Sequence, residues 1–202
     1  MSAHRVSADL RAVTVAVLGV PLLAAALTMG GAAEGVSLGN VTVSSDTDWV
    51  EATYEIENLT VTNGATLTIA GGSTVNVAGA TTITGSGRIL LQGKNTSGQV
   101  EGQWLGVGVT INSTDVQVDA GSAISADAQG YLGGFGPGSG GSDAALHGGS
   151  GGGYGGIGGR AGDDFNAGGA AYGDAFAPVD LGSGGGPTSA TAGRGGEQLH
   201  SM

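Results

Sequence analysis

The sequence predicts an all-β protein: a right-handed parallel β-helix, or solenoid, carrying a long glycine-rich insert, with an antiparallel β-sandwich as the alternative. Three observations predict it. From Val41 onward apolar and polar residues alternate with period two in Thr-rich and β-branched phrases, the pattern of a strand with one face inward and one outward. Aliphatic residues also recur eight apart, at Leu59, Leu67, Val75, Ile83 and Leu91. Glycine, finally, is concentrated late in the chain, with 27 of the 44 lying between Gly130 and Gly196, so the apolar core has to be built upstream.

The first element is a leader. Arg5 and Arg11 precede an uncharged run, AVTVAVLGVPLLAAALTM, from Ala12 to Met29, and small residues follow at Gly30, Gly31, Ala32 and Ala33. Basic region, apolar region and small-residue cleavage site, in that order, make a secretory signal. Residues 1–33 therefore read as a signal peptide cut after Ala33, with an uncleaved membrane anchor as the competing reading.

Residues 34–129 read as β-solenoid coils. The strand phrases are VTV at 41–43, YEIE at 54–57, LTVT at 59–62, LTI at 67–69 and VNV at 75–77. Turn-formers separate them: Asn63-Gly64, Gly71-Gly72-Ser73, Gly79-Ala80 and Gly85-Ser86-Gly87, each suited to the positive φ of a sharp corner. Three eight-residue steps give a 24-residue coil, which stacks Leu59 near Ile83 and Leu67 near Leu91. The same spacing is open to hairpins, and Asn63-Gly64 is a good hairpin turn. Stacked coils, however, must keep their spacing to stay in register, and this regularity favours the solenoid. GKNTSGQVEGQW at 93–104 breaks the step and reads as a loop, with Trp104 expected to cover one end of the apolar column. Alternation resumes at Val107, Val109, Ile111, Val116, Val118 and Ile124.

Residues 130–196 differ from a tether, which would be mostly Gly and Ser. Tyr131, Leu132, Phe135, Tyr154, Ile157, Phe165, Tyr172, Phe176 and Leu181 are spread through them. An ordered insert is predicted, its aromatic and aliphatic side chains packed on the solenoid while glycines allow close backbone crossing. A strand is expected after Gly193-Arg194-Gly195-Gly196, yet EQLHSM follows, so residues 197–202 read as a truncated tail.

Seventeen acidic against six basic side chains give a formal net charge of −11. That argues against a nucleic-acid partner, which requires clustered Lys and Arg, and the balance also suits a high-salt medium. Cysteine is absent, which excludes disulfides and thiolate metal sites.

No catalytic, cofactor-binding or metal-binding residue is assigned. GGSGG at 148–152 and GVSLG at 35–39 fit Gly-x-Ser-x-Gly but lack a strand-to-helix turn, and the only His residues past the leader are His147 and His200. GPGSGG at 136–141 fits Gly-x-Gly-x-x-Gly without the following helix a dinucleotide needs. Gly93-Lys94 lacks the rest of a phosphate loop. GGIGGRAGDDF at 155–165 is distantly similar to calcium-binding β-roll repeats, with Asp163, Asp164, Asp174 and Asp180 as the oxygen donors, but it occurs once where such sites need tandem turns. Glu55, Glu57, Asp115 and Asp119 are strand-borne acids available to a carbohydrate-cleaving pair; an outward acidic face is the favoured reading. Asn40, Asn58, Asn95 and Asn112 head glycosylation sequons of the kind Thr-rich strands produce by chance.

YEIENLTVTNGATLTIAGGSTVNVAG, Tyr54 to Gly79, with the later GSGRILLQG, resembles the coils of secreted bacterial β-helix surface proteins, including autotransporter passengers and haemagglutinin-like adhesins. GGGYGGIGGRAG and AYGDAFAPVDLGSGGG resemble glycine-rich inserts of large secreted β-helical proteins. The resemblance implies a secreted or cell-surface structural or adhesive element without its own catalytic site. Its expected partners are extracellular or cell-surface polysaccharide, or further coils of the same scaffold. A fragment of a carbohydrate-active β-helix enzyme is the alternative.

Overall fold

The computed structural model describes residues 15–16, 36–142, 148–161, 167–187 and 194–195. Its strands are β1 (Val15–Ala16), β2 (Val36–Val43), β3 (Thr47–Trp49), β4 (Thr53–Val61), β5 (Thr66–Ile69), β6 (Thr74–Ile83), β7 (Arg88–Leu91), β8 (Thr110–Val118) and β9 (Ala123–Ser125). The described residues contain no helix. β1 falls inside the segment read as a leader and pairs with Val41 and Thr42 of β2; the rest of residues 1–33 lies outside the described residues.

The strands form two sheets, ordered β1-β2-β4-β6-β8 and β3-β5-β7-β9. Every pairing between strands is parallel, which removes the antiparallel sandwich. From β2 onward successive strands alternate between the sheets, so the chain visits both in each circuit and returns beside its own earlier strand.

The period differs from the predicted one. Leu59 lies opposite Thr81 and Val61 opposite Ile83, while Leu67 pairs with Ile89 and Ile69 with Leu91. One circuit here takes 22 residues, and neither Leu59 with Ile83 nor Leu67 with Leu91 shares a register position. Inward residues come as pairs two apart, as strand geometry requires: 59/61, 67/69, 75/77, 81/83 and 89/91. The eight-residue step holds from Leu59 through Leu67 to Val75. It then lands on Ile83, the second member of its pair, because the bend after Val77 is short.

That bend is no corner. Gly79-Ala80 lies within β6, at a register irregularity between Val77 and Ala80. A Cβ on Gly79 would collide with the Asn58 side chain and the Glu57 carbonyl, and Asn58 Oδ1 accepts the Ala80 amide at 2.9 Å. The corners lie at Asn63-Gly64, with φ of 60° and 69°, at Gly71-Gly72, where Gly72 has a φ of 87°, and at Gly85-Ser86, with 55° and 61°. Both residues of Asn63-Gly64 have the left-handed conformation of a hairpin turn, yet β4 and β5 enter different sheets. The Gly64 amide instead donates to Gly85 O on the next corner at 2.8 Å.

Between the sheets lies one core, including Val41, Val43, Trp49, Tyr54, Ile56, Leu59, Val61, Leu67, Ile69, Val75, Val77, Ile83, Ile89 and Leu91. Fully burying each large aliphatic stabilises by roughly 1.5–3 kcal/mol. Thr81 is a polar residue among them: wholly buried, it donates its hydroxyl to Ser113 Oγ at 3.0 Å, and Ser113 donates onward to the Asp115 carbonyl at 2.8 Å.

Residues 92–109, between β7 and β8, form a break longer than the predicted 93–104, taking in Val107 and Val109 where alternation was expected to resume, and are held by bridges of Lys94 with Val107 and Val100 with Gln103. Trp104 does not cover the apolar column. Its ring stands edge-on to Tyr131 at 5.4 Å and to Phe135 at 6.3 Å, in the glycine-rich segment.

Candidate functional site

The described glycine-rich segments are held together by backbone hydrogen bonds outside any strand. Ser150 N donates to Gly141 O at 3.1 Å; three residues on, Gly153 N donates to Gly138 O, three residues back, at 2.8 Å. The intervening Gly151 N turns elsewhere, to Gly159 O at 2.8 Å. Amides of one segment thus donate to different neighbouring segments. Several neighbours can then surround each segment, provided side chains are missing between them: a Cβ on Gly149 would run into the Gly186 carbonyl, and one on Gly168 into that of Gly158.

A second, smaller core anchors this packing. Tyr131 and Leu181 are buried, and Tyr131 Oη accepts the Gly106 amide at 2.7 Å. Ser183 Oγ accepts from Gly138 N at 2.9 Å and donates to Tyr172 Oη at 3.0 Å, while the Tyr172 hydroxyl donates to the Leu181 carbonyl. Burial raises the phenol pKa of Tyr172 above its usual value, opposed by the Ser183 hydrogen bond, and burial likewise raises that of Tyr131.

From this base two loops converge, around residues 154–157 and 172–180. The Tyr154 and Tyr172 rings meet edge-on at 5.1 Å. Tyr154 Oη accepts the Asp180 amide at 3.2 Å, and Gly155 lies so close to Ala175 that a Cβ there would overlap it. Asp174 Oδ1 accepts the Phe176 amide at 2.8 Å, closing a turn. Three large apolar side chains stand out on these loops: Ile157 is 78% exposed, Val179 82% and Phe176 97%. The expectation that the insert's aromatic and aliphatic side chains pack on the solenoid is not met by these residues: Tyr131 and Leu181 are buried in the second core, apart from the core between the sheets, and Ile157 and Phe176 stand exposed. The sequence signal for the exposed loop was there, in the turn-formers Gly173, Asp174 and Pro178 around Phe176, but it was outweighed by residue hydrophobicity.

Ser150 of GGSGG is buried, its Oγ accepting from Gly141 N at 2.7 Å and donating to the Ala167 carbonyl at 2.7 Å, while Ser37 of GVSLG lies within β2. Glu55 and Glu57 do not converge: Glu55 accepts from Asn76 on β6 at 2.7 Å and Glu57 from Asn40 on β2 at 3.1 Å. Asp119 has its pKa lowered by hydrogen bonds from Thr84 and Gln117. The sequon asparagines all use their amide nitrogens: Asn40 on Glu57, Asn58 on Asn40, Asn112 on Asn76 and Asn95 on the Leu105 carbonyl. Of the calcium candidates, Asp174 closes the turn before Phe176 and Asp180 has its amide on Tyr154 Oη, while Asp163 and Asp164 lie outside the described residues, as do His147, Phe165 and His200. Among the described residues no three His, Asp or Glu side chains come together.

Compared with protein-family models, curated proteins and solved structures, the chain matches none.

Proposed function

We propose that the chain is a structural and adhesive element of a secreted or cell-surface protein, in which a right-handed parallel β-helix carries glycine-rich loops to a partner. The right-handed sense follows from the chirality of parallel crossover connections. Secretion rests on the apolar leader at 1–33, and the family resemblance to β-helical surface proteins points the same way.

One observation carries the adhesive part: Ile157, Phe176 and Val179 are held in water at the ends of loops whose bases are fixed by Tyr154 and Tyr172. Large apolar side chains presented on a rigid base lose little conformational freedom on docking, and aromatic anchors dominate binding energy at contacts of this kind. Extracellular polysaccharide is the expected surface. The carbohydrate-cleaving alternative finds no support in Glu55 and Glu57, which hold neighbouring strands instead of each other.

The test is retention of the labelled chain on immobilised extracellular polysaccharides and on whole cells, beside the triple variant Ile157→Ser/Phe176→Ser/Val179→Ser. Wild type should be retained and the variant lost, with equal circular dichroism. Equal retention of both, or of neither, refutes the adhesive role of the loops.

A further inference from the structure

The loop that carries Phe176 and Val179 is acidic as well as apolar. Between Arg160 and Arg194 the sequence holds four Asp and no Lys or Arg. Asp163 and Asp164 lie outside the described residues, while Asp174 and Asp180 are exposed and stand beside the apolar side chains, Asp174 two residues before Phe176 and Asp180 directly after Val179. The turn ties the first of them to the ring: Asp174 Oδ1 accepts the Phe176 amide at 2.8 Å and the Ala177 amide at 3.4 Å. No described residue donates to Oδ2, which is left for another donor. Asp180 is held from the facing loop through its amide on Tyr154 Oη. Burial raises the pKa of the Tyr172 phenol and the Asp180 charge adds to that rise, so the carboxylate lies within electrostatic reach of the phenol.

An aromatic ring in water with a carboxylate on the same turn is suited to an ammonium group. The ring face attracts the cation through its quadrupole, and the carboxylate accepts a charge-assisted hydrogen bond from it. Phe176, at 97% exposure, keeps nearly its whole ring open to such a group. An anionic polymer meets the opposite: like charges without a basic side chain to answer them, which suppresses the contact. The formal net charge of −11 extends the same bias to the approach, because the field of the whole chain steers association.

We propose that the loops take a polysaccharide bearing protonated amino groups, a polymer of free amino sugars, and this inference rests on the adhesive role given to them above. The ammonium is recognised by Asp174 and the Phe176 ring, Asp180 offers a second carboxylate, and the apolar C–H faces of the sugar rings meet Ile157 and Val179. A basic protein carries its cations on long, flexible Lys and Arg side chains, which lose more freedom on docking than a sugar ring does. The amino polysaccharide is therefore the favoured occupant.

Retention on four immobilised matrices tests it: a glucosamine polymer with free amines, the same polymer fully N-acetylated, a polyuronate, and polylysine, all at a pH that keeps the amine protonated. Wild type is compared with Asp174→Asn/Asp180→Asn and with Asp48→Asn/Asp115→Asn, which removes the same charge from β3 and β8. Asparagine keeps the Oδ1 acceptor, so the turn at Phe176 should survive, with equal circular dichroism in all three proteins. Wild type should be held by the free amine polymer, roughly tenfold more weakly by the acetylated one, and not by the polyuronate. The loop pair of asparagines should erase the preference for free amines, and the strand pair should keep it. Equal hold on free and acetylated polymer, a preference for polyuronate, a tighter hold on polylysine, or a preference that both asparagine pairs reduce alike overturns the proposal. The loop-tip triple variant separates the two readings. If it is retained like wild type, the adhesive role falls and this inference with it; if it is lost while wild type favours another matrix, the adhesive role stands and the amino-sugar assignment alone falls.

Discussion

The strand stack and the glycine-rich segments both bring many lengths of chain side by side, and they do so by opposite means. In the stack, inward side chains fill the space between two sheets, and Leu59, Leu67, Ile69, Ile83 and Ile89 are wholly buried. In the glycine-rich part the side chain is absent where segments meet, and the Gly186 carbonyl occupies the place a Gly149 Cβ would take. The first gains from apolar area removed from water. The second gains from backbone hydrogen bonds and tight packing, at the greater entropic cost of ordering glycine. A substitution that removes atoms should therefore damage the stack, and one that adds atoms should damage the glycine packing.

The largest effect is expected in the stack. Leu67→Ala should cost about 2–5 kcal/mol, the range for a fully buried leucine, read as a lower midpoint in denaturant unfolding. Next comes the glycine region: Gly149→Ala should cost at least about 1–3 kcal/mol, the range for overpacking. It should open residues 130–196 to proteolysis while the β signal in circular dichroism survives. Gly159→Ala is its control. An added methyl there meets nothing within 4 Å, so the change should be neutral or stabilising by about 0.4–1 kcal/mol through the unfolded chain. If both alanines behave alike, the contrast between the two regions fails.

Alkali should also separate the regions. Burial raises the phenol pKa of Tyr131 and Tyr172 in the glycine-rich part and of Tyr54 in the stack. Each phenol keeps its proton in the folded chain at a pH where the unfolded chain has begun to release it, near pH 10. The stabilisation is whole below that pH and is lost as pH rises through the folded values. With two such phenols against one, the glycine-rich part should open first, seen as tyrosinate absorbance together with protease sensitivity between residues 130 and 196.

The smallest effect belongs to the pair of Lys94 with Glu51 at 2.6 Å, nearly half exposed on both sides. Lys94→Ala should change stability by only about 0–1 kcal/mol, with the residue lost to high salt.

Much of the stack was legible in the residues, because period two and turn-formers are local signals. Leu59, Leu67 and Val75 do lie at corresponding inward positions of successive segments, and Asn63-Gly64 does take the left-handed corner its chemistry requires. The coil length is not legible from the spacing because Ile83 also points inward, and a count of eight cannot tell the first member of an inward pair from the second. Thr81 was missed as a core residue because the group that satisfies its hydroxyl, on Ser113, lies 32 residues away. In the glycine-rich part, Tyr131 and Leu181 announced an ordered core. The fate of Phe176 and Val179 did not follow from their hydrophobicity, since it is decided by where Asp174 closes a turn and Tyr154 holds the Asp180 amide.

The stretch between β7 and β8 has a practical consequence. From Leu59 to Thr81 the circuit takes 22 residues and from Thr81 to Val116 it takes 35, yet both returns land in the same column. Extra chain at this junction is absorbed outside the stack without altering alignment, in keeping with the weak dependence of loop-closure entropy on length. The junction is thus a natural port for grafting, where a foreign epitope or a reporter peptide could replace the tip at Glu101-Gly102 and be displayed by a framework that does not register its size.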